Sequence, residues 1–214
     1  MNNINFIWIG GVIPPIFIEN YKKCVKLNPS YNVRLFRDKD VEILAREYGV
    51  LEIFKNINLV NSINLAKYLT LYYYPGFYSD LDIIWNKPIT QLLKLPVNKF
   101  YNESSWPNYN KIHKDPEFMS CVRPYIYTYN RVKLYIFDDH LIYATSDGIK
   151  KVIDYTREKF NNKEYDVKIN FEPFGPISIT ELVYNKNLKA NMWYDMQVQG
   201  NGWFCTHTST RLWG

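Results

Sequence analysis

Two acids one residue apart, Asp80 and Asp82, close the segment Tyr78-Ser79-Asp80-Leu81-Asp82. If this segment is a strand, residues i and i+2 point to the same side. Both carboxylates then share a face while Leu81 turns into the core. Two adjacent carboxylates repel unless a cation lies between them or one takes up a proton. Hard divalent cations such as Mg²⁺ and Mn²⁺ prefer oxygen ligands of this kind and complete their shell with substrate phosphates. The pair therefore has the form of a metal–diphosphate clamp. Taken alone it is also compatible with a strand end carrying two solvated acids.

The segment before it narrows the choice. Asn64, Lys67, Tyr68 and Leu71 are spaced i, i+3, i+4, i+7, which is one face of a helix. Asn64 and Lys67 can face the same crevice as the aspartates, and a lysine there pairs with phosphate as a point charge. A solvated lysine and a surface asparagine remain the plainer alternative. His207, a possible further metal ligand, lies near the carboxyl end. Asp138 and Asp139 precede His140 after a strand-like run, where they could serve an acceptor hydroxyl as base or form a solvated turn.

These residues need elements to hold them. Ile4 to Ile9 reads as a buried strand ending at Gly10-Gly11, and Pro14-Pro15 opens a helix to about Lys26. Asn32 to Phe36 reads as a second strand, with Asp38 and Asp40 as caps for a helix through Tyr48. A helix over Asn61 to Tyr74 stops at Pro75-Gly76, and one strand from Phe77 to Trp85 carries the acids. Residues 102–115 read as a loop, 125–144 as strand material and 146–160 as a helix. A further helix over 177–184 and a strand or loop over 192–198 complete the chain. The alternation predicts a single α/β domain over residues 1–214, with a mainly parallel central sheet flanked by helices. In open sheets of this kind ligands bind beyond the carboxyl ends of the strands.

Composition excludes several classes. The chain has 214 residues, and its 26 Lys+Arg against 21 Asp+Glu give a net charge of +5. That excess suits an anionic small substrate and is too weak and dispersed for nucleic acid. The aromatic share of 17% supplies rings for stacking on bases and sugars as well as for the core. Three separated cysteines favour a reducing compartment, hence a cytoplasmic location. No apolar run is long enough to span a bilayer and no leader is visible. No G-x-G-x-x-G, P-loop, G-x-S-x-G or H-E-x-x-H pattern occurs. Carboxylates at i and i+2 also sit too close to flank a glycosidic bond as a hydrolase pair.

The run from Lys67 to Asp82 (Lys-Tyr-Leu-Thr-Leu-Tyr-Tyr-Tyr-Pro-Gly-Phe-Tyr-Ser-Asp-Leu-Asp) resembles the signature of DxD-type sugar-binding glycosyltransferases. That group takes in Och1-like mannosyltransferases, capsular sugar transferases, clostridial glucosylating toxins and virus-encoded members. Phe6-Ile7-Trp8-Ile9-Gly10-Gly11, Asn28 to Val33, Phe174-Gly175-Pro176, and His207 with Trp213 resemble further family elements. The resemblance implies a GT-A fold, Mn²⁺ or Mg²⁺, a nucleotide-sugar donor with UDP favoured, and a glycan or glycoprotein acceptor, with retention. It places Trp8 against the base, Asp80 at the ribose and metal, Asp82 and His207 on the metal, and Tyr78 and Trp213 along the diphosphate. Ile7, Gly10, Asn64, Lys67, Tyr68 and Leu81 complete the implied donor contacts, with Lys67 also catalytic. The family's helix Asp and Arg are Asn64 and Lys67 here, and its first Gly is Pro75. Those departures keep a second reading open: a module that holds a nucleotide-sugar without turning it over. A viral member would act in the host cytoplasm, and the chain could be one domain of a longer protein.

Overall fold

Alternation along the first strand sets the two faces of the molecule. In β1 (Asn3–Trp8), Ile4, Phe6 and Trp8 enter one apolar cluster, whereas Ile7 enters the other. Asn5 shares the Ile7 side and is fully buried, and its Nδ2 donates to the Tyr74 carbonyl at 2.8 Å. A computed structural model describes residues 2–94, 113–129, 132–162, 174–185, 188–194 and 205–207. In chain order these hold β1, α1 (Pro15–Leu27), β2 (Asn32–Arg37), α2 (Asp38–Tyr48), α3 (Leu51–Asn56), α4 (Leu59–Tyr73) and β3 (Gly76–Ser79). They continue with β4 (Ile83–Trp85), α5 (Ile89–Leu92), β5 (Phe118–Tyr129), β6 (Val132–Ala144), α6 (Ser146–Asn161), α7 (Pro176–Tyr184), β7 (Ala190–Tyr194) and β8 (Cys205–His207).

The six-stranded sheet has the order β2-β1-β3-β6-β5-β7. Among the described residues β1 pairs in parallel with β2 and β3, as does β5 with β7, whereas β6 runs antiparallel to β3 and β5. The expected helix-flanked and mainly parallel sheet is thus present. Val41 and Leu44 of α2, Leu65 and Leu69 of α4, Val152 of α6 and Ile179 of α7 cover one face. Phe17 of α1 and Ile89 and Leu92 of α5 cover the other.

Local chemistry explains the boundaries. Pro15 opens α1 at a position where its missing N–H costs nothing. The cap of α2 differs from the expectation. Arg37 occupies the cap, and Asp40 accepts the Arg37 backbone N–H at 2.9 Å from inside the first turn. Asn58 caps α4 by accepting from the Asn61 N–H at 2.9 Å. α4 is buried nearly all round, as a helix between a sheet and other helices must be. At its end Gly76 adopts φ +144°, and a Cβ there would lie 2.6 Å from the Asn3 carbonyl oxygen. Only glycine lets β3 come this close to β1.

The single strand expected over residues 77–85 is two strands. β3 ends at Ser79, Asp80 to Asp82 form a turn closed by Ile83 N–H to Asp80 O at 3.2 Å, and β4 then joins a separate sheet with β8. The same-face argument for the aspartates therefore does not apply, since a turn and not a strand presents them. Residues 102–112 of the expected loop, and Trp213, lie outside the described residues.

Candidate functional site

Parallel pairing makes the site. β1 and β3 run side by side with Asn5 opposite Tyr78, so both strands end at the same edge of the sheet. The Gly10-Gly11 turn follows one strand and Asp80-Leu81-Asp82 the other. β6 closes the far side: Ser79 pairs with Leu141, and the Asp80 N–H donates to the His140 carbonyl at 2.8 Å. β8 closes the near side, where Ile83 pairs with His207, which sets the His207 backbone beside Asp82.

Leu81 anchors the turn in the core, and its carbonyl accepts from Asn20 Nδ2 at 2.9 Å. The two flanking acids are consequently held at fixed positions. Asp82 is 4% exposed. Asp80 Oδ1 accepts the Tyr78 hydroxyl at 2.5 Å and lies 3.3 Å from Lys67 Nζ. The same ammonium lies 3.3 Å from Asp139 Oδ2 and 5.3 Å from the centre of the Tyr78 ring. The side chains of Lys67, Asp80 and Asp139 are 5%, 13% and 14% exposed, so these charges interact with little solvent screening.

The electrostatics follow from that burial. Desolvation pulls the Lys67 ammonium down, but Asp139 and then Asp80 outweigh it and hold its pKa above the ordinary lysine value. Desolvation raises Asp80 above the usual carboxylate range, Lys67 opposes this, and the Asp139 charge adds to it. Burial, then the neighbouring Asp80 charge, keeps the Tyr78 phenol protonated and donating.

The donor set suits a hard divalent cation. Asp80 and Asp139 each lie 3.3 Å from the one ammonium, and the Asp82 charge acts on Asp80 from the same turn. Asp80 Oδ2 accepts no hydrogen bond among the described residues, because both polar contacts fall on Oδ1. Among the described residues no group of three or more His, Cys, Asp and Glu surrounds a metal position by itself. Mg²⁺ and Mn²⁺ sites commonly draw one or two carboxylates from the protein and the rest from phosphate and water.

The structure thus brings together Lys67, Tyr78, Asp80, Asp82 and Asp139, with the His207 backbone alongside, while Asn64 is buried three residues before Lys67 in α4. Asp138 lies in β6, and its side chain is outside the described residues, as is that of His207. Ile7, Tyr68 and Leu81 have their side chains in the core and bear on the site through what they position. Trp8 is 7% exposed: its ring packs on Phe17 and its Nε1 donates to the Gly11 carbonyl at 3.2 Å. Two contributors were not read from the sequence. Asp38 Oδ1 accepts the Gly10 N–H at 2.9 Å, and Arg37 Nη2 donates to the Gly10 and Gly11 carbonyls at 3.0 and 2.9 Å. Their signal, an Arg-Asp pair directly after β2, becomes meaningful only once β2 is known to lie beside β1. A polar cleft of about 280 Å³ between α2, α4 and α6 is lined by none of the candidate residues.

Comparison with known proteins bears on this arrangement. Residues 14–101, which include Asp80 and Asp82, match the family model described as a glycosyltransferase sugar-binding region containing a DXD motif. Inositol phosphoceramide mannosyltransferase 3 of Schizosaccharomyces pombe is 28% identical over 97 residues, covering 44% of this chain and 27% of that protein. The chain therefore spans about a quarter of the length of that relative. The PaToxG glycosyltransferase structure aligns with a TM-score of 0.52 at 17% identity, over 86% of this chain and 69% of that one. The catalytic domain of alpha-toxin from Clostridium novyi aligns at 0.45 and 13% identity, over 75% of this chain and 58% of that one. Residues 14–101 are thus similar to a DXD-containing sugar-binding region of glycosyltransferases, and the α/β fold that holds them is like that of the PaToxG glycosyltransferase.

Proposed function

We propose that the protein is a metal-dependent glycosyltransferase that moves a sugar from a nucleoside-diphosphate sugar, UDP-linked by preference, to an acceptor hydroxyl on a glycan. The observation that carries this reading is the turn after β3, where Asp80, with Oδ2 open, lies beside a buried ammonium and Asp82 is held two residues on. Asp80, Asp82 and His207 would hold Mn²⁺ or Mg²⁺. A bound cation would act as a Lewis acid on the leaving diphosphate. Lys67 adds fixed positive charge in a site of low exposure, where it needs no reorganisation as charge develops. Trp8 and Gly10, at the end of the neighbouring strand, are assigned to the base side of the donor site by resemblance alone. Asn64 offers neutral hydrogen bonds to a sugar hydroxyl, and Trp213 is assigned to the diphosphate by resemblance alone. Retention, which requires no carboxylate base at the acceptor, is assigned on the family resemblance.

Calorimetric titration of UDP and GDP, with and without Mn²⁺, into the native protein and Asp82→Ala tests this. We expect one nucleotide to bind only with metal and the variant to lose that binding. Absence of binding to either nucleotide under every condition would remove the assignment. If binding is present, release of sugar from the matching donor decides between a transferase and a module that only holds its ligand.

A further inference from the structure

Lys67 does more than neutralise the DXD turn, because most of its contacts are with another strand. An ammonium has three N–H donors and no acceptor. Around Lys67 Nζ lie three oxygens: Asp80 Oδ1 at 3.3 Å, Asp139 Oδ2 at 3.3 Å and the Asp139 carbonyl at 3.4 Å. At 5% exposure, water does not replace them. Asp139 therefore supplies two of the three acceptors. On Asp80 the single oxygen that Lys67 approaches also takes the Tyr78 hydroxyl, and the other oxygen stays open.

We propose that Asp139 is a positioning residue that confines Lys67 to one oxygen of Asp80 and so keeps Oδ2 of Asp80 available to the metal and diphosphate of the donor. This rests on the transferase reading of the site. Lysine is a point charge on a flexible stem, with no planar fork to fix its direction. A buried ammonium held by Asp80 alone would slide to bridge both carboxylate oxygens, since an unmatched N–H in a buried site is costly. It would then compete with the cation for Oδ2. Asp139 prevents this from the outside, because the β3–β6 pairing delivers its side chain and its carbonyl together. The role differs from that of a general base, since it needs only the contact of Asp139 Oδ2 with the ammonium at 3.3 Å.

The test is a double-mutant cycle read by Mn²⁺ binding, measured from the free-ion paramagnetic resonance signal with and without UDP. The proteins are the native chain, Asp139→Asn, Lys67→Gln and the double variant. Asp139→Asn should weaken Mn²⁺ binding about tenfold or more, as loss of a group that orients a metal ligand does. In the Lys67→Gln background Asp139→Asn should change it by less than about twofold, because nothing remains to be restrained. Equal losses in both backgrounds, or native affinity in Asp139→Asn, overturn the proposal. Asp139→Ser, which keeps the backbone acceptor, serves if the asparagine variant melts early. A readout without nucleotide separates the two hypotheses. The ¹⁵N-correlated ammonium spectrum of metal-free protein should show a solvent-protected Lys67 signal that is shifted or lost in Asp139→Asn. If UDP adds nothing to Mn²⁺ binding in the native chain, the transferase reading fails, and the ammonium spectrum still decides whether Asp139 holds Lys67. An unchanged spectrum overturns that hold.

Discussion

Lys67→Met removes the ammonium while keeping most of its apolar stem, and it asks whether charge holds the site together. The variant leaves Asp80 and Asp139 facing each other without the cation that lies 3.3 Å from both. Removing one partner of a buried ion pair costs about 3–5 kcal/mol, because the remaining charge keeps its desolvation penalty. In a domain of this size each kcal/mol moves Tm by about 2–4 °C, so the loss should be roughly 6–20 °C in metal-free buffer near neutral pH. The pH dependence has a definite sign. Asp80 already has a raised pKa, with burial as the main cause and Lys67 as the group that opposes it. A carboxyl whose folded pKa exceeds its unfolded one binds more protons folded than unfolded. Its contribution to stability therefore falls as pH rises from the ordinary carboxylate range through the raised value. Without Lys67 that value rises further, so the deficit should be full above the raised value and should shrink as pH is lowered towards the ordinary carboxylate range. Urea denaturation of both proteins across this range, in chelator, measures it. A deficit below about 1 kcal/mol, or one independent of pH, would refute the argument that these are interacting buried charges.

Two further substitutions test the frame around the site. Gly76→Ala places a Cβ 2.6 Å from the Asn3 carbonyl at φ +144°, and should cost at least about 2 kcal/mol in urea melts; a neutral result would mean that β1 and β3 are not packed this closely. Tyr78→Phe keeps the buried ring and deletes the donor to Asp80 Oδ1, and should cost about 1.5–3 kcal/mol by the same assay, since the bond is to a charged group; a change under about 0.5 kcal/mol would show that Asp80 does not depend on it.

How far these features could be read from the sequence depended on how local their causes are. β1, α1, β2, α6 and α7 follow from short-range rules, such as alternation, proline in a first turn and an apolar stripe, and the structure has them within a residue or two of the expected bounds. α3 was not anticipated, because its six residues bury no side chain fully and so leave no periodic mark. The break after Ser79 was missed for the opposite reason. Phe77 to Trp85 is apolar enough to pass for one strand, and only the partner sheet formed by β4 and β8 explains why the chain turns at Asp80. The Lys67–Asp139 contact bridges 72 positions, and nothing near either residue announces it. It exists because β6, far along the chain, inserts next to β3.

That last contact changes how the departures from the family pattern should be read. Where the resembled pattern has an arginine on the helix, this chain has Lys67, which loses the two-pronged grip and with it some directional control. Where the pattern has a helix aspartate, this chain has the uncharged Asn64. Taken from the sequence, both changes point towards a site that has decayed. In the fold, Asp139 brings a carboxylate back into the same cluster from β6, and its two oxygens together with the Tyr78 ring restrict the lysine as a fork would have restricted itself. The compensation is specific, because Asp139 reaches Lys67 with both side chain and backbone, and a solvated turn would reach it with neither. Asn64 and Lys67 are therefore by themselves no argument against turnover, since the cluster still holds a buried cation on the helix and carboxylates on β6 and in the turn after β3.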